Sequence, residues 1–181
     1  MARENKSQYA LLSFLSKRPM SGYDIKRLFE KVAPFYWSEA NAQIYPILKR
    51  LEQEQYVEST IDEASGKRQK RIYHITKVGT EVLRAWLTKP IEMSKPRKEF
   101  LLKLNTGYVT GKDVCIQHVE EYQDEIQLRT KLLTSIIDHI NTDHADTREQ
   151  PYMLLTYDYS RRLLKMEAEW CEATLEKLHS M

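Results

Sequence analysis

The run Lys67-Arg68-Gln69-Lys70-Arg71 follows Gly66 in a wholly polar stretch and has the make-up of a phosphate clamp. Upstream, Gln43, Tyr45 and Lys49 alternate with Ile44, Ile47, Leu48 and Leu51, which recur at helical spacing. With those aliphatics turned to a core, Ala42, Pro46 and Lys49 point away, and Gln43 and Tyr45 flank the buried stripe. A small residue on such a face lets a helix come close to DNA. Gln reads adenine N6 and N7 bidentately, and Tyr and Lys reach phosphates. As bare patterns, the helix face fits ordinary solvated surface equally well, and a basic run standing alone is more often a solvated face than a binding patch. Other chemistries find little support. There is no GxSxG elbow, P-loop, GxGxxG or HExxH motif, so neither an enzyme nor a cofactor is expected. A metal is not expected either. His139 and His144 stand five apart, on different faces of a helix, and neither Cys115 nor Cys171 lies near them in sequence.

The elements that must carry these residues follow from periodicity. Tyr9, Leu11, Leu12 and Leu15 mark a first short helix closed by Pro19. Ser21 can cap a second, from Gly22 to about Lys31. Ser38 can cap a third, which reaches about Gln53. Pro46 is awkward inside that third helix unless the helix kinks or its regular part starts near Tyr45. Phe35, Tyr36 and Trp37 form an aromatic connection expected to bury in the core. Tyr56–Ile61 and Arg71–Ile75 then alternate at period two, a hairpin whose long tip ends in the basic cluster. Thr76 caps a fourth helix, which ends at Lys89-Pro90.

Beyond Pro90 and Pro96 everything reads as helix. Val114, Val119, Tyr122, Ile126, Leu133, Ile136, Ile137 and Ile140 line one long helix. Leu155, Tyr159, Leu163, Met166, Trp170, Ala173 and Leu178 mark one side of another, which Pro151 can open. Helices of about 30 residues run about 45 Å, more than a small domain covers. Their exposed stripes are expected to find a second copy of the chain. The dimer candidates are Val119, Tyr122, Ile126, Leu133, Ile137, Leu163, Met166 and Trp170.

Charge divides the same way. Residues 1–90 hold 16 basic and 10 acidic side chains, and residues 91–181 hold 12 and 16, so +6 faces −4 within a net charge of +2 over 181 residues. A basic module suited to a polyanion is joined to an acidic one with another task. Only five glycines leave little material for phosphate loops or a large all-β fold. Two isolated cysteines, no apolar run of bilayer length and no signal-like N-terminus point to a cytoplasmic protein.

Three helices followed by a hairpin make the pattern of a winged helix-turn-helix. In detail the chain resembles the PadR family of bacterial transcriptional regulators, in its AphA-like branch with a long C-terminal helical domain. The resemblance rests on Ser21-Gly22-Tyr23-Asp24-Ile25, Phe35-Tyr36-Trp37 and Gln43-Ile44-Tyr45-Pro46-Ile47-Leu48-Lys49-Arg50-Leu51. Gly66 to Thr76, Gly79, and Arg97 to Leu104 extend it.

The expected architecture is mainly α with a small β-hairpin. A winged helix-turn-helix DNA-binding domain spans 1–90, and a helical dimerisation and effector domain spans 91–181. The candidate DNA contacts are Ser21, Tyr23, Ser38, Asn41, Ala42, Gln43, Tyr45, Lys49, Lys67, Arg68 and Lys70; Arg71 is the cation that can instead pair with an acid. Tyr23 serves either a phosphate or the core. The candidate effector residues are Tyr152, Tyr159, Arg162 and Trp170, with Arg161 as an alternative anion partner; dimer packing is the commoner role for such helix aromatics. The family resemblance implies a homodimeric regulator that binds an inverted-repeat operator in double-stranded DNA; it is read here as a repressor, although the AphA-like branch includes activators and the residues do not distinguish the two. A small aromatic effector releases many members from DNA, and others act without one. A helical adaptor that uses the winged fold to bind protein is the rival reading.

Overall fold

Tyr9, Leu11, Leu12 and Leu15 are all buried on α1 (Ser7–Leu15), as their helical spacing requires. The computed structural model describes residues 6–31, 33–37, 43–62, 70–92 and 97–181, and the chain divides into two units, Met1–Glu92 and Met93–Met181. In the first unit α1 leads to a two-residue strand, β1 (Met20–Ser21), and to α2 (Gly22–Lys31). A 3-10 turn over Ala33–Phe35 precedes α3 (Ile44–Gln53). Strands β2 (Val57–Asp62) and β3 (Lys70–Ile75) and helix α4 (Lys77–Leu87) complete it. The expected hairpin is there, and β1 adds a strand too short to show any period in sequence. The sheet is antiparallel in the order β1-β3-β2, with Met20 opposite Tyr73 and Val57 opposite Ile75.

The core of this unit gathers α1, α2, α3, α4 and the sheet around Leu11, Leu12, Ile25, Ile44, Leu48, Leu51 and Val57. Tyr9 stacks on Trp86 with ring centres 4.6 Å apart, and Phe14 meets Phe29 edge-on at 5.1 Å. Phe35 is buried and Trp37 packs on the core, whereas Tyr36 between them is exposed. Consecutive side chains leave a turn in different directions, so three adjacent aromatics do not all face inward. Thr76 caps α4 as expected, its hydroxyl accepting from the Gly79 N–H at 3.0 Å. Pro46 needs no kink. The regular helix begins at Ile44, so Pro46 sits in the first turn, where an N–H would have no intrahelical acceptor.

The second unit holds α5 (Glu99–Asn105), a 3-10 turn (Gly107–Val109), and two long helices, α6 (Lys112–Asp143) and α7 (Gln150–Ser180), which pack along each other. The buried residues of α6 are Cys115, Val119, Ile126, Leu133 and Ile140; those of α7 are Tyr157, Ser160, Leu164, Glu167, Cys171 and Leu178. Steps of three, four and seven make this a coiled-coil seam inside one chain. The inward row of α7 is therefore not the apolar stripe expected to meet a second copy. Leu155, Tyr159 and Met166 are exposed, and the neighbouring row, with Ser160, Glu167 and Cys171 in it, is buried instead. Hydropathy misses that row because a buried carboxylate is admitted only when tertiary partners satisfy it. Here Lys98 pairs with Glu167. No described helix is long and apolar enough to cross a membrane.

Candidate nucleic-acid interface

Ser21 and Asp24 close a reciprocal cap at the start of α2. The Asp24 N–H donates to Ser21 Oγ at 3.2 Å, while the Ser21 N–H and hydroxyl donate to Asp24 Oδ2 at 3.1 and 2.7 Å. Ser21 is thus buried and occupied in capping, which does not fit its expected place among the DNA contacts. Of the two readings of Tyr23, the core one falls: the side chain is 60% exposed.

Next to it, Gly22 brings α2 against α3. A Cβ on Gly22 would lie 2.7 Å from Tyr45 Cε1, so the absence of a side chain lets the Tyr45 ring rest there while 53% of the residue stays exposed. Gln43, the residue before α3, and Lys49 on its outer face are both exposed, and Lys49 makes no ion pair among the described residues. Ile44, Ile47, Leu48 and Leu51 are all buried, so the division into inner and outer faces stands. Ser38, Asn41, Ala42, Lys67 and Arg68 lie outside the described residues.

At the base of the hairpin the cations are matched by acids. Lys70 Nζ lies 3.1 Å from Asp24 Oδ2 and stands across the ladder from Asp62. Arg71 Nη2 donates to both oxygens of Glu52 on α3 at 2.8 and 3.0 Å, and its Nε donates to Ser59 Oγ at 2.7 Å. The guanidinium also lies 5.7 Å from the centre of the Tyr73 ring. The Arg71 pairing is the one its place at a strand start allowed for. The Ser-x-x-Asp spacing of Ser21 and Asp24 is a legible capping signal, whereas no spacing in the sequence links Glu52 to Arg71. Burial pushes the Asp24 carboxyl up, but the Ser21 hydrogen bonds and Lys70 outweigh it and hold the group below the ordinary carboxylate range.

In the second unit the expected effector residues do not meet within one chain. Tyr152 and Trp170 lie on the same helix, 18 residues and so about 27 Å apart. Tyr152 and Tyr159 are exposed, and Arg162 Nε donates to Asp158 at 2.7 Å, with Arg161 on the same carboxylate. Trp170 packs edge-on against Phe100, which stacks on Tyr122 at 4.0 Å.

Of the expected dimer residues, Val119, Ile126 and Leu133 are covered by the seam of their own chain; Ile137 and Leu163 are half-buried, and Met166 is exposed. Tyr122 belongs to the Glu167 cluster. Burial and its hydrogen bond to that carboxylate push its hydroxyl well above the usual tyrosine range. His139 and His144 come closer than their spacing implied, with ring centres 6.1 Å apart, because His144 caps the end of α6 rather than continuing it. Among the described residues no group of three or more His, Cys, Asp or Glu can hold a metal.

Comparison with known proteins places these elements. A family model described as the transcriptional regulator PadR-like family matches residues 11–85, and one described as virulence activator alpha C-term matches residues 96–179. The negative transcriptional regulator PadR of Bacillus subtilis (strain 168) is 31% identical over 133 residues, covering 71% of this chain and 70% of that protein. Among solved structures, a PadR-like transcriptional regulator from Bacillus cereus superposes with a TM-score of 0.84 at 22% identity over 98% of both chains. Bacillus subtilis PadR in complex with operator DNA gives 0.82 at 22% identity over 97% of this chain and 99% of that one. The same protein in complex with p-coumaric acid gives 0.72 at 21%, over 98% and 99%. The Vibrio cholerae virulence activator AphA gives 0.73 at 21%, over 96% and 98%. These structural likenesses establish a shared fold.

Proposed function

Since the chain belongs to the PadR-like family of transcriptional regulators, we propose that it is a cytoplasmic, homodimeric repressor that binds an inverted-repeat operator and carries out no catalysis. The observation that carries the reading is the outer face of α3. Tyr45 and Lys49 are solvent-facing there, with Gln43 exposed just before them, on a helix whose opposite side is wholly buried. In a winged helix-turn-helix that helix enters the major groove and the wing follows the backbone. Gln43 reads a base edge, Tyr45, Tyr23 and Lys49 contact phosphates, and the wing-tip cations Lys67 and Arg68 add backbone contacts. Two copies joined through the C-terminal helices set the spacing of the two half-sites. A small aromatic acid, of the kind named in the p-coumaric acid complex of the Bacillus subtilis relative, releases the protein from DNA.

The test is selection of bound duplexes from a random pool, followed by titration of the selected and a scrambled duplex over a salt series. Lys49→Ala weakens both duplexes alike and flattens the salt slope by about 0.9. Gln43→Ala weakens only the selected one, by about 1–3 kcal/mol. Failure to enrich any sequence overturns the reading, and so does equal loss on both duplexes for Gln43→Ala. Aromatic acids that neither stabilise the protein nor release DNA at millimolar concentration overturn the effector.

A further inference from the structure

Lys70 belongs to the basic run and stands at the first position of β3, where a wing meets the DNA backbone, yet its ammonium is already engaged. Asp24 Oδ2 lies 3.1 Å from Nζ, and Asp62 faces Lys70 directly across the β2–β3 ladder. Asp24 is not a loose surface acid. Two hydrogen bonds from Ser21 fix its carboxylate in the first turn of α2, and the cap they form is reciprocal. An exposed ion pair ordinarily contributes little, largely because two flexible side chains must be ordered. Here one partner is ordered beforehand, so only the lysine loses freedom on pairing. A phosphate that approached Nζ would also approach the Asp24 carboxylate and be repelled by it.

The same clasp joins two parts of the DNA-facing surface. It fastens the start of β3 to the first turn of α2, the turn in which Gly22 receives the Tyr45 ring of α3. We propose that Asp24 is a positioning residue that holds Lys70 as a strut between the wing and α2 and keeps it out of phosphate contact. This rests on the DNA-binding reading above. It assigns the wing's phosphate contacts to cations beyond the strand, and it removes Lys70 from the clamp that the basic run implies.

The experiment compares full-length wild type, Asp24→Asn, Lys70→Ala and the double variant on one operator duplex, with affinity measured by fluorescence anisotropy from 50 to 300 mM salt. Lys70→Ala is expected to leave the slope of log affinity against log salt unchanged, because no phosphate contact is lost. Asp24→Asn releases the ammonium; the slope steepens by about 0.9 and binding at low salt tightens severalfold. The double variant returns the slope to the wild-type value. A slope flattened by about 0.9 in Lys70→Ala overturns the proposal, since Lys70 would then already neutralise a phosphate. An Asp24→Asn effect that persists without Lys70 overturns it as well. If Asp24→Asn fails to fold, as judged by circular dichroism, Lys70→Ala at its half-exposed strand position still decides. Absence of DNA binding by wild type overturns the DNA-binding reading and this proposal together, whereas wild-type binding with the wrong slopes overturns this proposal alone.

Discussion

Lys98 and Glu167, 69 residues apart in the chain, form an ion pair whose carboxylate is only 6% exposed at the seam of two long helices. Tyr122 supplies the second partner of that carboxylate, and its ring stacks on Phe100 of α5. One buried acid thus anchors the short helix to the long pair. Removing one member of a buried pair leaves an uncompensated charge. Lys98→Ala is expected to lower the unfolding free energy by about 2 kcal/mol, less than for a fully dry pair because the lysine is partly exposed. Adding Glu167→Leu should recover most of that loss. Urea unfolding followed by circular dichroism measures both, and a double variant weaker than the single would show that the carboxylate has another structural task.

The seam of one chain and the interface between chains can be separated by two substitutions. Leu155 is 70% exposed on α7, whereas Ile126 is 1% exposed inside the seam. Leu155→Glu is expected to leave the helical signal and thermal midpoint near wild type while light scattering reports a monomer. Ile126→Glu buries a charge without a partner and should cost more than about 3 kcal/mol. A Leu155→Glu protein that stays dimeric would place the interface on another face.

Two glycines that both lie under neighbouring groups should respond differently. A Cβ on Gly79 would sit 2.0 Å from the Tyr56 carbonyl oxygen, where backbone must move. Gly79→Ala should therefore destabilise the first unit by about 3 kcal/mol. On Gly22 the obstacle is the exposed Tyr45 ring, which can swing aside. Gly22→Ala should keep its thermal midpoint and lose operator affinity severalfold, as Tyr45 leaves its place on α3. Equal effects on folding from the two variants would refute this account.

The Asp24 cap has a definite pH dependence. Against the effect of burial, Ser21 and Lys70 lower the carboxyl in the folded state relative to the unfolded chain. The contribution to stability is therefore fully present above the unfolded value of about 4 and is lost as pH falls through the lower folded value. The difference in thermal midpoint between wild type and Asp24→Asn should be constant from pH 7 to 5 and shrink below about pH 4. A difference that persists unchanged at pH 2 would mean the charge plays no part.

Much of the fold was legible because local signals agreed with one another. Ser21 and Thr76 announce their caps, Pro46 fits a helix that begins just before it, and Ile44, Ile47, Leu48 and Leu51 mark the inner face of α3. The site was legible only in part. Gln43, Tyr45 and Lys49 face outward as their spacing implies. Lys70, read as one more cation of a clamp, meets Asp24, 46 positions earlier, and no pattern within a single element shows that encounter.

Sequence alone determined the helices, the β2–β3 hairpin and which face of α3 is apolar, because propensity, capping and period act within a few residues; the two-residue β1 escaped it. Tertiary structure alone decided which row of α7 is buried. Tyr159 and Met166 belong to the apolar stripe and stay exposed, while Ser160, Glu167 and Cys171 go inside. Two adjacent rows on one helix differ by a small rotation that hydropathy scarcely resolves, and the choice is made by the heptad register against α6 and by Lys98 and Tyr122, which make a buried carboxylate tolerable.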